Sequence, residues 1–307
     1  MRSLGKVSVS LPINASAAPS PSRDFGRHQR MAASKRVLLL LVAALLLHVA
    51  VALRISAFNI KQFGEAKMEK KEVADIIVKI LKQYDISVVQ EVRDSTLVAV
   101  NKLMAELNSG TTALYSFISS EPLGWTTYKE QYLFIYRSDK VSVLETKQIL
   151  NQRAFSRGPF VVKFASQTTE VKEFVIVPLH SKPTDAVKEI DALYDVYTDL
   201  TEKSSNNILL VGDFNAGCTY VKDADWSKIR LRTRAPCDWL ITDEDDTTVT
   251  ATTHCPYDRI VACGTALRQD IKPDSAKIYN FELAFGLTNK KALEVSDHFP
   301  VEVTLNP

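Results

Sequence analysis

Apolar and polar residues along residues 53–307 follow the periodicities of both strands and helices. Over residues 53–60 the two kinds alternate, which predicts a strand. Over residues 69–84 the apolar positions recur every three or four residues, which predicts a helix with one buried face. The same patterns predict strands over 86–92, 132–136, 160–164, 174–178, 207–211, 259–262 and 301–305, and helices over 97–107 and 185–202. This mixture favours one α/β domain in which helices cover sheets.

The first fifty residues have a different pattern. An apolar run over 37–52 is interrupted only by His48, follows two basic residues and ends in Ala-Val-Ala. This predicts a signal peptide over 31–52, secretion through the endoplasmic reticulum and a mature chain of residues 53–307. An uncleaved membrane anchor is the alternative, although the run is short of the ~20 residues that a span needs. Residues 1–30 are expected to be unstructured, either as a targeting extension or as the product of an upstream start codon, and we favour the second.

Charge is unevenly distributed along the 307 residues. The chain has a formal net charge of +2, but seven of its Lys and Arg residues and only one acid lie in residues 1–52, which leaves 31 basic and 35 acidic residues in 53–307. A domain of this balance is not a basic protein that coats nucleic acid. If it acts on a polyanion, it must do so through a local site, and we expect a metal ion there.

Polar side chains that can bind metals or transfer protons stand at the ends of six predicted strands. Each one alone has a structural explanation, since Asp before Asn commonly builds a turn and a lone His is often a satisfied core residue. Six together favour one shared cleft, because ligands gather outside strand ends in α/β proteins. Their oxygen atoms suit Mg²⁺ or Mn²⁺. The residues are Asn59, Glu91, His180, Asp213 with Asn215, Asp258, and Asp297 with His298.

Seven short motifs occur in order along residues 53–305. They are Phe58-Asn59-Ile60, Gln90-Glu91-Val92-Arg93-Asp94, Tyr128-Lys129-Glu130, Pro178-Leu179-His180, Gly212-Asp213-Phe214-Asn215-Ala216-Gly217-Cys218, Tyr257-Asp258-Arg259-Ile260 and Ser296-Asp297-His298-Phe299-Pro300. Together they resemble the secreted deoxyribonuclease I family of the endonuclease/exonuclease/phosphatase superfamily. Gly-Asp-Phe-Asn alone would indicate only the superfamily. The resemblance implies an α/β four-layer sandwich, with two packed mixed β-sheets flanked by helices.

The resemblance also implies the chemistry of a metal-dependent endonuclease. The catalytic residues would be two pairs, His180 with Glu130 and His298 with Asp258. Two imidazoles that carboxylates orient can act as base and acid near neutral pH. We assign His298 as the base and His180 as the acid, with the order open, and expect 5′-phosphate and 3′-hydroxyl ends. The metal set, for Mg²⁺ or Mn²⁺, would be Glu91 as principal ligand with Asn59, together with Asp213, Asn215 and Asp297.

The expected partner is double-stranded DNA, cleaved with low sequence specificity. Arg93 and Tyr128 resemble the family's minor-groove pair, and such an Arg reads groove shape more than bases. Tyr128 could alternatively be a packed loop aromatic. Arg157 matches a phosphate-contacting Arg of the family. The chain departs from the family at Trp125, where the family has Arg, and at Gly158, where it has Glu.

The resemblance implies a structural Ca²⁺ site at Asp246, Thr248 and Thr250, although a solvated acidic loop is the alternative. A second family Ca²⁺ site is expected to be missing. The resemblance also implies a disulfide between Cys218 and Cys255. It leaves Cys237 and Cys263 unassigned: we interpret Cys263 as a buried strand thiol, and a bridge between these two as possible but unsupported.

Two further expectations concern partners. Ser119 and Phe160 stand where actin-sensitive family members carry Val and Ala, so we expect weak or no inhibition by actin. Separately, we expect a monomeric enzyme. Two other functions stay open at this point. One is a phosphoesterase of the same superfamily that acts on abasic DNA or phospholipid head groups, and the other is a catalytically inactive DNA-binding protein. Both imidazoles must face one ligand if the nuclease hypothesis is correct.

Overall fold

A computed structural model of the chain describes residues 52–151 and 153–307. The predicted upstream extension and all but the last residue of the predicted signal peptide lie outside these ranges. Within them, no helix is both long enough and apolar enough to cross a membrane.

Every strand that the apolar pattern predicted is present, together with four that it did not predict. The strands are β1 (Leu53–Phe63), β2 (Ile86–Val92), β3 (Tyr115–Ser119), β4 (Gln131–Arg137), β5 (Val141–Gln148), β6 (Phe160–Ser166), β7 (Glu173–Pro178), β8 (Ile208–Asp213), β9 (Cys237–Trp239), β10 (Asp258–Cys263), β11 (Lys277–Ile278) and β12 (Val301–Leu305).

Three long helices occupy the regions predicted to be helical. The helices are α1 (Glu65–Met68), α2 (Lys71–Leu81), α3 (Val98–Asn108), α4 (Ala186–Lys203), α5 (Arg230–Thr233), α6 (Thr265–Asp270), α7 (Phe281–Ala284) and α8 (Asn289–Val295), with 3-10 turns at Pro183–Asp185 and Asp223–Lys228. Helix α2 is shorter than predicted. Tyr84 keeps the helical spacing but lies in the turn before β2, where its buried hydroxyl donates to Glu302 at 2.6 Å.

The strands form two mixed six-stranded sheets. The first sheet has the order β11-β12-β1-β2-β4-β3 and the second the order β5-β6-β7-β8-β10-β9. Each contains one parallel pair, β1 with β2 and β7 with β8, and the remaining pairs are antiparallel. The four unpredicted strands β3, β5, β9 and β11 are the four sheet edges. An edge strand has one neighbour and is often partly solvated, so its apolar pattern is weak or too short to detect.

Three apolar clusters separate four layers. Side chains such as Ile55 and Phe164 fill the space between the two sheets. The outer face of the first sheet packs against α2, α3 and α8, and the outer face of the second packs against α4, through residues such as Leu210 and Leu193. This arrangement confirms the predicted four-layer α/β sandwich.

Two disulfides cross-link the second half of the chain. The bridge between Cys218 and Cys255, which the resemblance implied, is present. The interpretation of Cys263 as a buried thiol was wrong, because it is bonded to Cys237. These two residues face each other across the antiparallel pair β9 and β10, a register that the sequence pattern could not reveal because β9 has only three residues.

Candidate active site

The two sheets meet at one end, where the tips of four strands lie together. In the first sheet Asn59 of β1 pairs with Gln90 of β2, and in the second Asp213 of β8 pairs with Asp258 of β10. Gln90 joins the sheets: its Oε1 accepts the backbone N–H of Asp213 at 2.9 Å, and its Nε2 donates to the carbonyl of Leu179 at 2.6 Å. Residues far apart in sequence therefore form one polar site.

Irregular backbone at these tips aims the side chains. Glu91 has a φ of 57°, at the point where the pairing of β2 shifts register, and such a bulge redirects a side chain. Asn215 has a φ of 49° in the turn after β8. Gly212, with a φ of 122°, must be glycine, because a Cβ there would lie 2.4 Å from Gln90 Nε2.

Asn59 links the two carboxylates that the sequence analysis assigned to a metal. Its Nδ2 donates to Glu91 Oε1 and to Asp213 Oδ2, both at 3.1 Å. Its Oδ1 is buried and has no hydrogen-bond partner among the described residues, and the same is true of Asp297 Oδ1. Unpaired buried oxygens beside carboxylates are the donors that a hard divalent cation uses, so the residues fit such an ion.

The two predicted imidazole–carboxylate pairs are both formed. His180 Nδ1 lies 2.7 Å from Glu130 Oε2, and His298 Nδ1 lies 2.7 Å from Asp258 Oδ2. The two other ring nitrogens face the same point, since His180 Nε2 and His298 Nε2 each lie 3.6 Å from Asp213 Oδ2. The imidazoles therefore flank one small volume.

Buried hydroxyls hold the His298 pair in place. Thr247 Oγ1 donates to Asp258 Oδ2 at 2.8 Å and accepts the backbone N–H of Asp258 at 3.1 Å. Ser296 Oγ donates to the carbonyl of Asn59 at 2.6 Å and accepts the backbone N–H of His298 at 3.1 Å. Asp258 is thereby held by a residue of the preceding loop, and the backbone of His298 is tied through Ser296 to β1.

The His180 pair has a cationic support. The backbone N–H of His180 donates to Tyr132 Oη at 2.9 Å. Arg157 Nε donates to the carbonyl of His180 at 3.0 Å and lies 3.4 Å from Glu130 Oε2, while its Nη2 donates to the carbonyl of Ser181 at 3.1 Å. The guanidinium expected to contact phosphate is thus turned mostly inward, toward the backbone of the site.

The charges of the site shift its pKa values in opposite directions. Burial opposes a charged His298, but the carboxylates of Asp258, Asp213 and Asp297 outweigh it and raise the pKa of the imidazole to about 10. Burial raises the pKa of Asp258 in spite of its hydrogen bond to His298. Burial also opposes ionisation of Glu130, yet the hydrogen bond and charge of His180 lower the pKa of that carboxyl.

A second set of atoms could also hold a metal ion. Among the described residues, Asp213, Asp258 and His298 present ligand atoms within 4.8 Å of one another. Asp258 Oδ2, however, already binds Thr247 and the imidazole. Asp258 Oδ1 is unpaired like Asn59 Oδ1, but we regard the set of Asn59, Glu91 and Asp213 as the better metal site, since none of its members belongs to the two pairs that orient the imidazoles through Nδ1.

Four further predicted residues lie beside this centre. Asp297 Oδ2 is 2.6 Å from Lys61 Nζ. The Arg93 guanidinium lies over the Tyr128 ring, 4.2 Å from its centroid, so the predicted minor-groove pair forms a partly exposed stack. Asn215 Nδ2 donates to the carbonyl of Ser181 at 3.1 Å, which leaves its amide less available to a ligand than predicted.

The predicted calcium residues line one cleft, but their central carboxylate is already engaged. Asp246 Oδ1 accepts the backbone N–H of Thr248 at 2.9 Å and of Cys255 at 3.2 Å, and Asp246 Oδ2 lies 2.7 Å from His254 Nδ1. Thr250 lines the same cleft. The hydroxyl and carboxylate oxygens are of the right kind for Ca²⁺, which would have to displace some of these hydrogen bonds.

Four supporting residues escaped the sequence analysis: Gln90, Arg259, Thr247 and Ser296. Three of them stand inside the quoted motifs, next to predicted site residues, and that adjacency was the available signal. Arg259 is wholly buried, and its guanidinium donates to the carbonyls of Pro256 and Ala216, at 2.7 Å each. It thereby ties the loop after β8 to the loop before β10.

Comparison with known proteins finds one family model and close sequence relatives that cover most of the chain. Residues 57–298 match the Endonuclease/Exonuclease/phosphatase family. Deoxyribonuclease-1 of Gallus gallus is 57% identical over 279 residues, covering 89% of this chain and 99% of that protein. Deoxyribonuclease-1 of Bos taurus is 52% identical over 274 residues, covering 87% and 97%.

Solved structures of low sequence identity share the fold. An endonuclease/exonuclease/phosphatase family protein from Leptotrichia buccalis superimposes with a TM-score of 0.60 at 18% identity, covering 83% of this chain and 100% of that chain. Humanized D. rerio TDP2 superimposes with a TM-score of 0.59 at 16% identity, covering 83% and 99%. These neighbours establish the fold alone.

Proposed function

The chain belongs to the deoxyribonuclease I family, and from that premise we propose that it cleaves DNA by histidine acid–base catalysis beside a divalent cation. It is a deoxyribonuclease, an endonuclease that hydrolyses DNA. One observation carries the mechanism: His180 Nε2 and His298 Nε2 both lie 3.6 Å from Asp213 Oδ2, while their Nδ1 atoms are held by separate carboxylates. Two oriented proton-transfer groups can thus flank one phosphodiester.

Each imidazole has a distinct role in the proposed step. Asp213 and Asp297 contribute to the raised pKa of His298, and a divalent cation held beside them would offset their charge and lower that pKa, so that the neutral ring is available as a base. His298 Nε2 then accepts a proton from the attacking water, and Asp258 stabilises the resulting imidazolium through Nδ1. Water oxygen bonds to phosphorus as the bond to the 3′-oxygen breaks. His180 Nε2 gives its proton to that leaving oxygen, and Glu130 keeps the ring oriented. The products are a 5′-phosphate and a 3′-hydroxyl.

The proposed metal residues are Glu91 and Asn59, with Asp213 and Asp297 beside them. The unpaired Asn59 Oδ1 and Asp297 Oδ1 support this assignment. When bound, Mg²⁺ or Mn²⁺ would neutralise charge on the phosphoryl oxygens and favour deprotonation of water. We include Asn215 as a residue that positions Asp213, because its backbone N–H donates to Asp213 Oδ1 at 2.9 Å.

Plasmid nicking tests the proposal, and a modified substrate tests the order of the two histidines. His180→Ala and His298→Ala should each lower the rate by about 10²–10⁴, and EDTA should abolish nicking. On DNA with a bridging 3′-sulfur, a leaving group that needs no proton, His180→Ala should recover much of its loss and His298→Ala should not. The reverse pattern would exchange the roles, and wild-type nicking by His298→Ala would refute the mechanism.

Binding of double-stranded DNA is proposed to use the stack of Arg93 on Tyr128. An Arg that inserts into the minor groove reads its width, so cleavage should be weakly sequence-selective. Arg157 is proposed to act on phosphate only indirectly, since its hydrogen bonds to the carbonyls of His180 and Ser181 hold the acid pair in place.

A structural Ca²⁺ is proposed at Asp246, Thr248 and Thr250, whose oxygens line one cleft. Ca²⁺ should raise the melting temperature of the wild type, and Asp246→Ala should remove that rise while Glu91→Ala keeps it. A rise of equal size in Asp246→Ala would refute this site.

We make further proposals about secretion, the extent of the catalytic domain and the partners of the protein. We propose cleavage of a signal peptide after Ala52, which leaves residues 53–307 as one catalytic domain. Mature N-terminal sequencing tests this, and an N-terminus upstream of Leu53 would contradict it. From Ser119 and Phe160 we propose weak or no inhibition by actin, and nicking assays with and without actin test this. We also propose a monomer, which light scattering tests.

A further inference from the structure

A half-exposed tryptophan lies beside the His180 side of the active site. Trp125 is 49% exposed, and it follows Leu123, which forms an isolated antiparallel bridge with Glu130. Lys182, two residues after His180, places its Nζ 5.5 Å from the centroid of the indole ring. The indole therefore lies close to both members of the His180 pair, through the Leu123–Glu130 bridge on one side and Lys182 on the other.

A groove of about 360 Å³ adjoins the indole. Its lining is largely apolar and includes Pro122, Leu123, Leu150 and Phe155, and it reaches Gly158, the neighbour of Arg157. Gly158 lets two backbone segments of this wall lie close together, because a Cβ there would lie 1.9 Å from the carbonyl oxygen of Ile149. The groove therefore ends on the chain segment that supports the carbonyl of His180.

We propose that Trp125, Lys182 and this groove form a subsite for one unstacked nucleobase of the substrate. The proposal rests on the DNA-cleaving function above and extends it to single-stranded DNA. A flat exposed aromatic ring stacks on any base, and a lysine at the ring can meet the phosphate attached to that base. In an intact duplex the bases are stacked on each other and cannot lie on the indole, so the occupant comes from a single strand, a frayed end or a nick.

The surface next to Trp125 suits a nucleobase better than a phosphate as its occupant. Both lysines at this point have a partner, since Lys182 Nζ lies 2.9 Å from Asp185 and Lys129 Nζ donates to the carbonyl of Gly124. Only Lys182, whose ion pair is exposed, can be shared with a phosphate. The surface next to the indole thus offers apolar contact and one shared cation rather than a free positive cluster. Such a surface favours stacking of a base on the indole over binding of the DNA phosphates.

Paired kinetics test the subsite. The specificity constant is measured on a single-stranded oligonucleotide and on the duplex of the same sequence. Trp125→Ala should lower the ratio of single-strand to duplex cleavage about tenfold, within the range of one base–aromatic stack. Trp125→Phe should keep most of the ratio, and Trp125→Arg should lower it. Leu144→Ala, a control residue that is also 49% exposed but lies on β5, should leave the ratio unchanged.

Fluorescence gives a readout that does not depend on turnover. With EDTA present, a single-stranded oligonucleotide should quench the tryptophan emission of the wild type, and Trp125→Phe should lose that quenching. Trp226 and Trp239 remain as an internal reference, because they pack edge to face with centroids 5.5 Å apart in another cluster.

The outcomes separate the two proposals. Equal loss on both substrates in Trp125→Ala, or quenching that persists in Trp125→Phe, would overturn the subsite. Loss of the catalytic function itself would appear as wild-type protein that cleaves neither substrate, while the quenching would still report on the subsite.

Discussion

At the residue scale, Asp213 connects every part of the site. Its Oδ2 lies 3.6 Å from the Nε2 atoms of His180 and His298 and accepts a hydrogen bond from Asn59 at 3.1 Å. One carboxylate thus touches both proton-transfer groups and the proposed metal ligands. Its own orientation is set by backbone N–H groups, because Asn215 N donates to its Oδ1 and its own N–H donates to Gln90. The surrounding residues that hold these groups should consequently affect turnover.

Thr247→Val tests the support of the His298 pair. The variant loses the hydroxyl that donates to Asp258 Oδ2, and it leaves the buried backbone N–H of Asp258 without its acceptor. We expect the free energy of unfolding to fall by about 1–3 kcal/mol, and kcat to fall by about tenfold as the imidazole loses its alignment. Steady-state kinetics and urea unfolding measure both quantities.

Thr169→Val is the matched control for that substitution. Thr169 is equally buried, and its hydroxyl donates to the carbonyl of Val171 in a part of the chain that contributes nothing to the site. It should lose stability without losing kcat. If the two variants show the same kcat, Thr247 has no positioning role.

Arg259→Met tests the buried guanidinium next to Asp258. The substitution leaves the carbonyls of Pro256, Ile241 and Ala216 without their donor, and it removes the shorter of the two contacts to Asp243 Oδ1, which keeps its hydrogen bond from Arg232. We expect a loss of about 3 kcal/mol in the free energy of unfolding, near the lower end for breaking a buried charge pair, because Asp243 is partly exposed.

Arg268→Met serves as the exposed counterpart. Arg268 pairs with Asp238 at the surface, and such pairs contribute little because solvent screens them. Urea unfolding should show a much smaller loss than in Arg259→Met, and equal losses would contradict the structural role of Arg259.

At the element scale, each sheet combines regular strands with an irregular end at the site. The register shift of β2 at Glu91 and the turn after β8 occur where the two sheets meet. Away from the site lies β9, a three-residue edge strand joined to β10 by the bridge between Cys237 and Cys263. Two links that hold short elements in place can be tested separately: the disulfide of β9 and the ion pair that joins α5 to α4.

Replacing both Cys237 and Cys263 by Ser should loosen β9. The bridge closes a loop with a sequence separation of 26 residues, for which loop entropy suggests a loss of about 3–4 kcal/mol. Calorimetry should show a lower melting temperature, while the activity at 25 °C should persist because β9 lies at the sheet edge. An unchanged melting temperature would mean that the bridge does not form in the purified protein.

Asp191→Asn tests the link between α4 and α5. Arg230 Nε and Nη2 donate to the two carboxylate oxygens of Asp191 at 2.9 and 2.8 Å. Burial opposes the charge of Asp191, but Arg230 outweighs it and lowers the pKa of the carboxyl. A lowered folded-state pKa stabilises the fold above the unfolded value of about 4, and this stabilisation is lost as pH falls through the folded value.

The variant should therefore lose about 1 kcal/mol at pH 7, a value reduced for partial exposure, and its difference from the wild type should disappear as pH falls through the lowered folded-state pKa of Asp191. Asp195→Asn, whose side chain is 67% exposed and also contacts Arg230, should lose less at pH 7. Urea unfolding across this pH range measures the difference, and a gap that is constant with pH would contradict the ion pair.

At the scale of the whole molecule, charge limits how DNA can be held. Residues 53–307 carry 31 basic and 35 acidic residues, so attraction to DNA must come from local cations such as Arg93 and Lys182 rather than from the net charge. The four-layer fold that brings the strand tips together at the active site also places these cations beside it.

A salt titration measures this local binding. Each neutralised phosphate contributes a slope of about −0.9 to the logarithm of binding against the logarithm of salt concentration, so two or three contacts predict a slope of about −2 to −3 for kcat/KM in NaCl. Arg93→Ala should reduce the slope by about 1. Lys147→Ala, on the β5 edge, should not change it, and a wild-type slope near zero would contradict binding through phosphates.

Interior strands, long helices and the chemical identity of the site could all be predicted from the sequence. Strands such as β2 and β8 are almost wholly buried, and they are rich in Val, Ile and Leu. The edge strands β5 and β9 could not be predicted, since partial exposure or short length removes that signal. The motif resemblance supplied the pairs of His180 with Glu130 and His298 with Asp258, because a motif preserves residue type and order along the chain.

Only the tertiary structure decided which atoms meet. The shared approach of both imidazoles to Asp213, the inward turn of Arg157 and the bridge between Cys237 and Cys263 depend on sheet register and on packing between strands distant in sequence. Local periodicity carries information about which face of an element is buried. It carries none about the distance between two side chains on different sheets, which is set when both sheets pack on one core.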